Sequence, residues 1–246
     1  MIIGFCGSGS MAAAMARGLH GAVEAMLFSD SGSGRAAELA AELGGEAVGS
    51  NQELGERADV VVLAVKPARL DEAAAGLGSA KVVVSLLGAT SLERVRTAFP
   101  AAEVVRVMPN VGVEVGRGVL CLAGTPDPAL RALLEGLGHL VELPDAQFDV
   151  ATAIMGCAPA YLALAVEAIA DAGAADGLDE ALARELVVET TAGTAELLRR
   201  HHPADVRRAV ASPGGSTEAG LEALDREGAR EAFAAAVRAS LERMRG

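Results

Sequence analysis

A chain of 246 residues is long enough for one large domain or two modest ones, either with a substantial core. It is 51% apolar yet has no Trp, one Tyr and five Phe, so its core must be built from Ala, Val and Leu, which suits helices packed closely on each other or on a parallel sheet. A formal net charge of -12, with no basic stripe and no interleaved aromatics, argues against nucleic acid and anionic membrane surfaces as partners, since both call for clustered Lys and Arg.

Met1-Ile2-Ile3 lacks the basic flank of a secretory signal and runs directly into a glycine motif. Apolar runs at Met1–Cys6, Ala25–Ser29, Asp59–Val65, Lys81–Ser85, Val104–Met108, Val119–Leu122 and Leu140–Leu143 read as strands. Helical patterns at Met11–His20, Arg35–Leu43 and Ala68–Ala75 separate the early ones. The run Val60–Val65 is apolar without alternation, as in strands covered by helices on both faces. The alternation predicts an α/β fold with a doubly wound, mainly parallel sheet over residues 1–145.

After Pro144-Asp145 the strand pattern stops. Asp149–Ala174, Asp179–His201 and Thr217–Met244 read as helices, broken at Asp176-Gly177, His202-Pro203 and Ser212–Gly215, so residues 146–246 form an all-helical domain. Ala151–Ala170 is apolar but contains Pro159 and Glu167 and precedes Asp171, which predicts a buried helix rather than a membrane span. Cys6, Cys121 and Cys157 lie far apart, so neither a disulfide nor a metal site is expected, and reduced thiols fit a cytoplasmic protein.

The chemistry begins at Gly7-Ser8-Gly9-Ser10-Met11-Ala12, placed between the first strand and the first helix. Gly7 permits the tight turn, Gly9 lets the backbone approach a pyrophosphate, and Ala12 keeps helix and sheet close. The N–H groups opening the helix attract the phosphates, so residues 1–145 are read as a Rossmann-type dinucleotide-binding domain. Asp30 stands about 20 residues further on, where a carboxylate accepts a hydrogen bond from the ribose and selects NADH. Ser29, Ser31, Ser33 and Arg35 form a set that holds a phosphate and selects NADPH, and a third reading makes Asp30 or Ser33 a helix cap. The residues alone leave NADPH and NADH open. The strand Asp59–Val65 ends in Ala64-Val65-Lys66-Pro67, at the carboxyl edge facing the ligand crevice, where Lys66 is placed for a cofactor contact.

Ser212-Pro213-Gly214-Gly215-Ser216-Thr217 is more than a turn: two glycines leave the backbone uncovered where a helix starts, so its N–H groups form a site for a small carboxylate. The glycine turn, Ala64–Pro67, Arg106-Val107-Met108-Pro109-Asn110, Pro159-Ala160-Tyr161 and Ser212–Thr217, in that order and spacing, together resemble the pyrroline-5-carboxylate reductase family, whose signature is S-P-G-G-x-T. The resemblance covers nearly the whole chain. It implies that Asn51, fifteen positions before Lys66, lines the dinucleotide site with Ala64, Lys66, Pro67 and Asn110. It implies that Thr217 hydrogen-bonds the ring nitrogen of a cyclic imino acid, with Ser212, Gly214, Gly215 and Ser216 around it. It further implies a helical domain that interlocks with a second subunit, in a homodimer or larger homo-oligomer.

Residues 146–246 contain no Lys, the acid that reductases of the β-hydroxyacid type place there for a developing alkoxide. An imine nitrogen already carries its proton, so this absence favours imine over ketone reduction and, by the resemblance, conversion of 1-pyrroline-5-carboxylate to L-proline. Tyr161 reads first as a helix-packing residue and second as a proton donor. The chain departs from the family at Met155 and Cys157, where small polar residues are usual, at Val111-Gly112 in place of Thr-Pro, and at Leu86-Leu87 in place of two Ala. These make the nicotinamide end more apolar and keep two alternatives open: reduction of another imino or keto acid, or dinucleotide binding without turnover.

Overall fold

The computed structural model describes residues 1–245 and folds into two compact units, one of Met1–Cys157 with the residues from Leu241 onward, the other of Ala158–Ser240. In the first, β1 (Ile2–Cys6), β2 (Ala25–Ser29), β3 (Glu46–Ala47), β4 (Val60–Leu63), β5 (Val82–Ser85), β6 (Glu103–Pro109), β7 (Gly118–Ala123) and β8 (Gly138–Glu142) form one sheet in the order β3-β2-β1-β4-β5-β6-β7-β8. All neighbours are parallel except β6 and β7, which pair antiparallel from Arg106 opposite Ala123 to Pro109 opposite Leu120.

Both faces of the sheet are buried, which is why its central strands are uninterrupted Val, Ile and Leu. Ile3, Phe5, Val60 and Val62 face one core and Cys6, Val61, Leu63 and Val83 the other. Phe5 and Phe28, paired across β1 and β2, stack with ring centroids 5.3 Å apart. The covering helices are α1 (Ser10–Leu19), α2 (Arg35–Leu43), α3 (Asn51–Arg57), α4 (Leu70–Gly76), α5 (Leu92–Ala98) and α6 (Pro128–Gly136). α3, α5 and α6 go beyond the sequence expectation; each opens on a side-chain cap, Ser50, Ser91 and Asp127 respectively.

The helix expected over Asp149–Ala174 is not continuous. It starts as α7 (Phe148–Ala151), widens to a π turn at Thr152–Gly156, with the Cys157 N–H donating to the Thr152 carbonyl at 3.2 Å, and resumes as α8 (Ala158–Ala175). The second unit holds α8, α9 (Glu180–Leu198), α10 (Pro203–Val210), α11 (Ser216–Arg226) and the greater part of α12 (Ala229–Arg245). The single helix expected over Thr217–Met244 is two, because Gly228 takes a left-handed φ of +72° and ends α11 as a C-terminal glycine does.

One expectation is overturned within the single chain. The helical stretch Asp145–Ala175 is long and apolar enough to cross a membrane, and only 11% of its apolar window is buried. Leu162, Leu164 and Ile169 are 57%, 65% and 60% exposed, so this is not a core helix of the isolated chain. The Ala-rich composition supplies too little side chain for α10, α11 and α12 to cover α8 and α9.

Candidate functional site

A cleft of about 630 Å³ opens in the first unit beyond the carboxyl ends of β1, β2 and β4, where the strand order reverses direction around β1. Gly7 makes the turn out of β1 with φ +95°, and its N–H donates to the Ser29 carbonyl at 3.0 Å. A Cβ on Gly7 would lie 2.7 Å from the Ala64 carbonyl oxygen, so the chain can cross there only as glycine. A Cβ on Gly9 would meet no protein atom within 4 Å. Gly9 also caps α1 without a side-chain hydrogen bond, so the first N–H groups of the helix stay open to the cleft. Bare backbone of this kind, at the head of a ten-residue helix, fits a pyrophosphate.

The deeper wall is a hydrogen-bonded set at the ends of β1, β2 and α3. Asn51, first residue of α3, accepts at Oδ1 from the Ser29 hydroxyl at 2.8 Å and from the Cys6 thiol at 3.5 Å. That fixes the amide so that its N–H donors, not its oxygen, remain available. Burial pushes the Cys6 thiol up to about 11, partly offset by the Ser29 hydrogen bond, and so keeps it a neutral donor to Asn51. The Ser8 hydroxyl donates to the Ser29 carbonyl at 3.3 Å and braces the glycine turn against the same strand.

Asp30 closes the outer end. Its Oδ1 accepts from the N–H groups of Gly32 (2.7 Å) and Ser33 (3.2 Å), and its Oδ2 from the Ser33 hydroxyl (2.8 Å) and the Ala36 N–H (2.9 Å). The Ala36 bond, with the others behind it, holds the carboxyl below its usual range. The opposite wall carries Ala64, Val65 and the exposed Lys66.

The cleft thus gathers Gly7, Ser8, Gly9, Ser29, Asp30, Ser31, Asn51, Ala64, Val65 and Lys66. It also takes in Ser50, Gln52, Arg69, Glu72 and Gly76, none of which the sequence reading named; a Ser three residues before Glu53, a helix-start pattern, is the signal that could have located that part of the wall. Ser10 lies on an adjoining depression of about 410 Å³, shared with Ser8, Gly9, Arg35 and Val111. Met11 packs against the core, and Pro67 opens the 3₁₀ turn Pro67–Arg69 outside the cleft lining. Asn110 is also outside it. Its Oδ1 accepts from the N–H groups of Gly112 (3.2 Å) and Val119 (3.1 Å), and its Nδ2 donates to the Met155 carbonyl (3.1 Å), so the side chain ties the end of β6 to the π turn.

In the second unit, Ser212–Gly215 leads into α11 with Gly214 at φ +73°. The Gly214 N–H donates to Glu218 Oε2 at 2.6 Å and the Gly215 N–H to the Ser212 carbonyl at 2.9 Å. Both glycines therefore shape the loop, and Ser216 and Thr217 in the first turn of α11 are exposed and follow an N-cap without a side-chain bond. The Tyr161 hydroxyl bridges α8 to α12 through the Ala236 carbonyl (3.3 Å) and the Ser240 hydroxyl, a packing role.

Residues 145–246 match the family model described as pyrroline-5-carboxylate reductase dimerisation, and residues 2–88 the one described as NADP oxidoreductase coenzyme F420-dependent. The chain is 40% identical to a pyrroline-5-carboxylate reductase from Synechocystis sp., over 78% of this chain and 76% of that one. Among solved structures it is similar to 1-pyrroline-5-carboxylate reductase from Streptococcus pyogenes, with 30% identity and a TM-score of 0.88 over 99% of this chain and 98% of that one. It is equally similar in shape to Plasmodium falciparum pyrroline carboxylate reductase with NADP bound, with 26% identity and a TM-score of 0.88 over 99% and 97% of the two chains.

Proposed function

The chain belongs to the pyrroline-5-carboxylate reductase family, and from that membership we infer that it reduces 1-pyrroline-5-carboxylate to L-proline with NAD(P)H. The observation that carries the reading at the level of residues is the Ser212–Thr217 loop, an uncapped helix start that carries the family's signature in full. A dinucleotide fits the first unit, because the backbone at Gly9 is bare where a side chain would enter open space, and Gly7 lets the chain turn tightly against Ala64 beneath it. Gly7–Met11 would hold the pyrophosphate, Asn51 and Ser29 the adenosine ribose, and Ala64–Pro67 the nicotinamide half. When bound, the reduced nicotinamide supplies a hydride to the imine carbon.

The chain's own part is binding and orientation. The Ser216 and Thr217 N–H groups hold the substrate carboxylate at the positive end of α11, and the Thr217 hydroxyl hydrogen-bonds the ring nitrogen. The iminium already carries the proton that the amine keeps, so no Lys is needed, and residues 146–246 have none. Asn110 acts at one remove, through the π turn that presents Met155 and Cys157.

Residues 1–145 serve as the dinucleotide-binding domain and 146–246 as the substrate-binding and dimerisation domain. The protein is a homo-oligomer, and a homodimer or larger ring built through the helical domain accounts for the exposed Leu162, Leu164 and Ile169. The -12 charge fits a cytoplasmic enzyme that binds neither nucleic acid nor an anionic membrane surface. Proline identified by mass after incubation with 1-pyrroline-5-carboxylate and NADPH supports this reading. Cofactor binding with no proline formed would replace it with dinucleotide binding alone, or with a different imino or keto acid substrate.

A further inference from the structure

We propose that the link from Asn110 to the π turn sets the rate of turnover. Asn110 replaces a donor that Pro159 withholds and registers Thr152–Gly156 against α1, as a positioning residue that touches neither cofactor nor substrate. The proposal rests on the reductase reading above. In a continuous helix the Met155 carbonyl would accept from the N–H of residue 159. That residue is Pro159, which has no N–H to give and whose ring crowds the carbonyl four residues back. Asn110 supplies the donor instead, from Nδ2 at 3.1 Å. The orientation of its amide is settled, because Oδ1 already accepts from the Gly112 and Val119 N–H groups at 3.2 and 3.1 Å.

The other side of Asn110 leads to the dinucleotide helix. Asn110 caps the 3₁₀ turn Val111–Val115, which lies against α1 with Val113 fully buried. A Cβ on Gly18 of α1 would run into the Val113 carbonyl oxygen, so the turn and the helix approach as closely as backbone allows. The Met155 side chain packs on the buried cluster that holds Phe148 and Cys121. Four residues earlier on β6, Arg106 holds Asp145 and lies over Phe148. One strand thus grips the segment 145–157 at two points. Arg106 secures its start, and Asn110 fixes the π turn against the helix whose head fits the pyrophosphate. Single π turns within helices recur at functional sites. By the family resemblance, Met155 and Cys157 stand at the nicotinamide end, where a misplacement of about 1 Å can cost roughly a hundredfold in rate.

The test is steady-state kinetics with NADPH and 1-pyrroline-5-carboxylate, beside NADPH titration, on the intact protein, Asn110→Asp, Asn110→Ser, Pro159→Ala, the Asn110→Asp/Pro159→Ala double variant and Asp145→Asn. Asn110→Asp keeps both acceptor bonds and loses only the donor to Met155. It is expected to lower kcat roughly tenfold or more while the Kd for NADPH stays within about twofold. Pro159→Ala returns an N–H to the Met155 carbonyl, so the double variant should be no slower than the slower single one. Asp145→Asn should lose stability at unchanged kcat, which separates positioning of the π turn from folding alone. The proposal is overturned if Asn110→Asp keeps full kcat or weakens NADPH in proportion to the lost rate, as a direct cofactor ligand would. It is equally overturned if the two substitutions multiply, or if Asp145→Asn slows turnover as much. No turnover by the intact protein would overturn the reductase reading, and this proposal with it. If Asn110→Asp fails to fold by circular dichroism, Asn110→Ser supplies kcat and Kd, since serine still caps the 3₁₀ turn but is too short to reach Met155.

Discussion

Arg106 donates to Asp145 at 2.9 Å from inside the first unit, where its side chain is only 4% exposed and its guanidinium lies 4.5 Å from the centre of the Phe148 ring. Asp145 also accepts from the Leu92 N–H at 3.0 Å, so this one carboxylate ties β6 and α5 to the start of the C-terminal half. Among the described residues Arg106 Nε is buried without a partner, which leaves Asp145 as the group that compensates the charge.

Removing that carboxylate strands a buried cation. Asp145→Ala is expected to cost about 3 kcal/mol of stability, the lower end for breaking a buried pair, since Asp145 is partly exposed. Asp145→Asn, which still accepts from Leu92, should cost about half as much. Urea unfolding measures both, and a loss below about 0.5 kcal/mol for the alanine variant would mean the pair is not structural.

Asp30 gives a pH dependence with a definite sign. Its folded-state pKa is depressed below the ordinary 3.8, chiefly by the Ala36 N–H. Its contribution to the loop is therefore complete above that value and disappears as pH falls through the lower folded-state value. The stability difference between the intact protein and Asp30→Asn, read by urea unfolding, should hold steady from neutral pH down to about 5, the region in which both values leave the carboxylate ionised. A difference already shrinking near neutrality would contradict the hydrogen-bond set.

The strands were legible because burial on both faces writes itself as unbroken apolar sequence, as in Val60–Val65. β3 was not, because Glu46 and Ala47 are an exposed edge pair with no apolar signature. The glycine turn and the cleft's Lys66 could be located from position and pattern, and Asn51 through the family resemblance. What Asp30 and Asn110 do could not, since both are decided by hydrogen bonds whose partners depend on loop geometry. The same holds for α8: composition marks it as apolar, and only the folded chain shows that its own unit leaves it uncovered.

That uncovered face predicts the assembly state. Light scattering at micromolar concentration should give a dimer or a larger multiple. Leu164→Glu combined with Ile169→Glu, which puts charge on two of the most exposed apolar positions of α8, should shift the mass to a monomer. A native mass of one chain, or a double variant with unchanged mass, would show that α8 is covered in some other way.

Thr217→Ala should lower kcat/KM roughly tenfold or more, the cost of one hydrogen bond made at the reacting centre, while leaving the Kd for NADPH unchanged. Thr217→Ser should recover most of the loss because it keeps the hydroxyl. Equal activity in all three proteins would place the ring nitrogen elsewhere.

The central claim is tested most directly by the rate at which purified protein consumes NADPH with 1-pyrroline-5-carboxylate, set against its six-membered homologue. The account predicts rapid oxidation with the five-membered ring and a kcat/KM at least about tenfold lower with the larger one, the discrimination one methylene supports in a fitted site. No oxidation with the five-membered ring, or faster oxidation with the six-membered one, would contradict it.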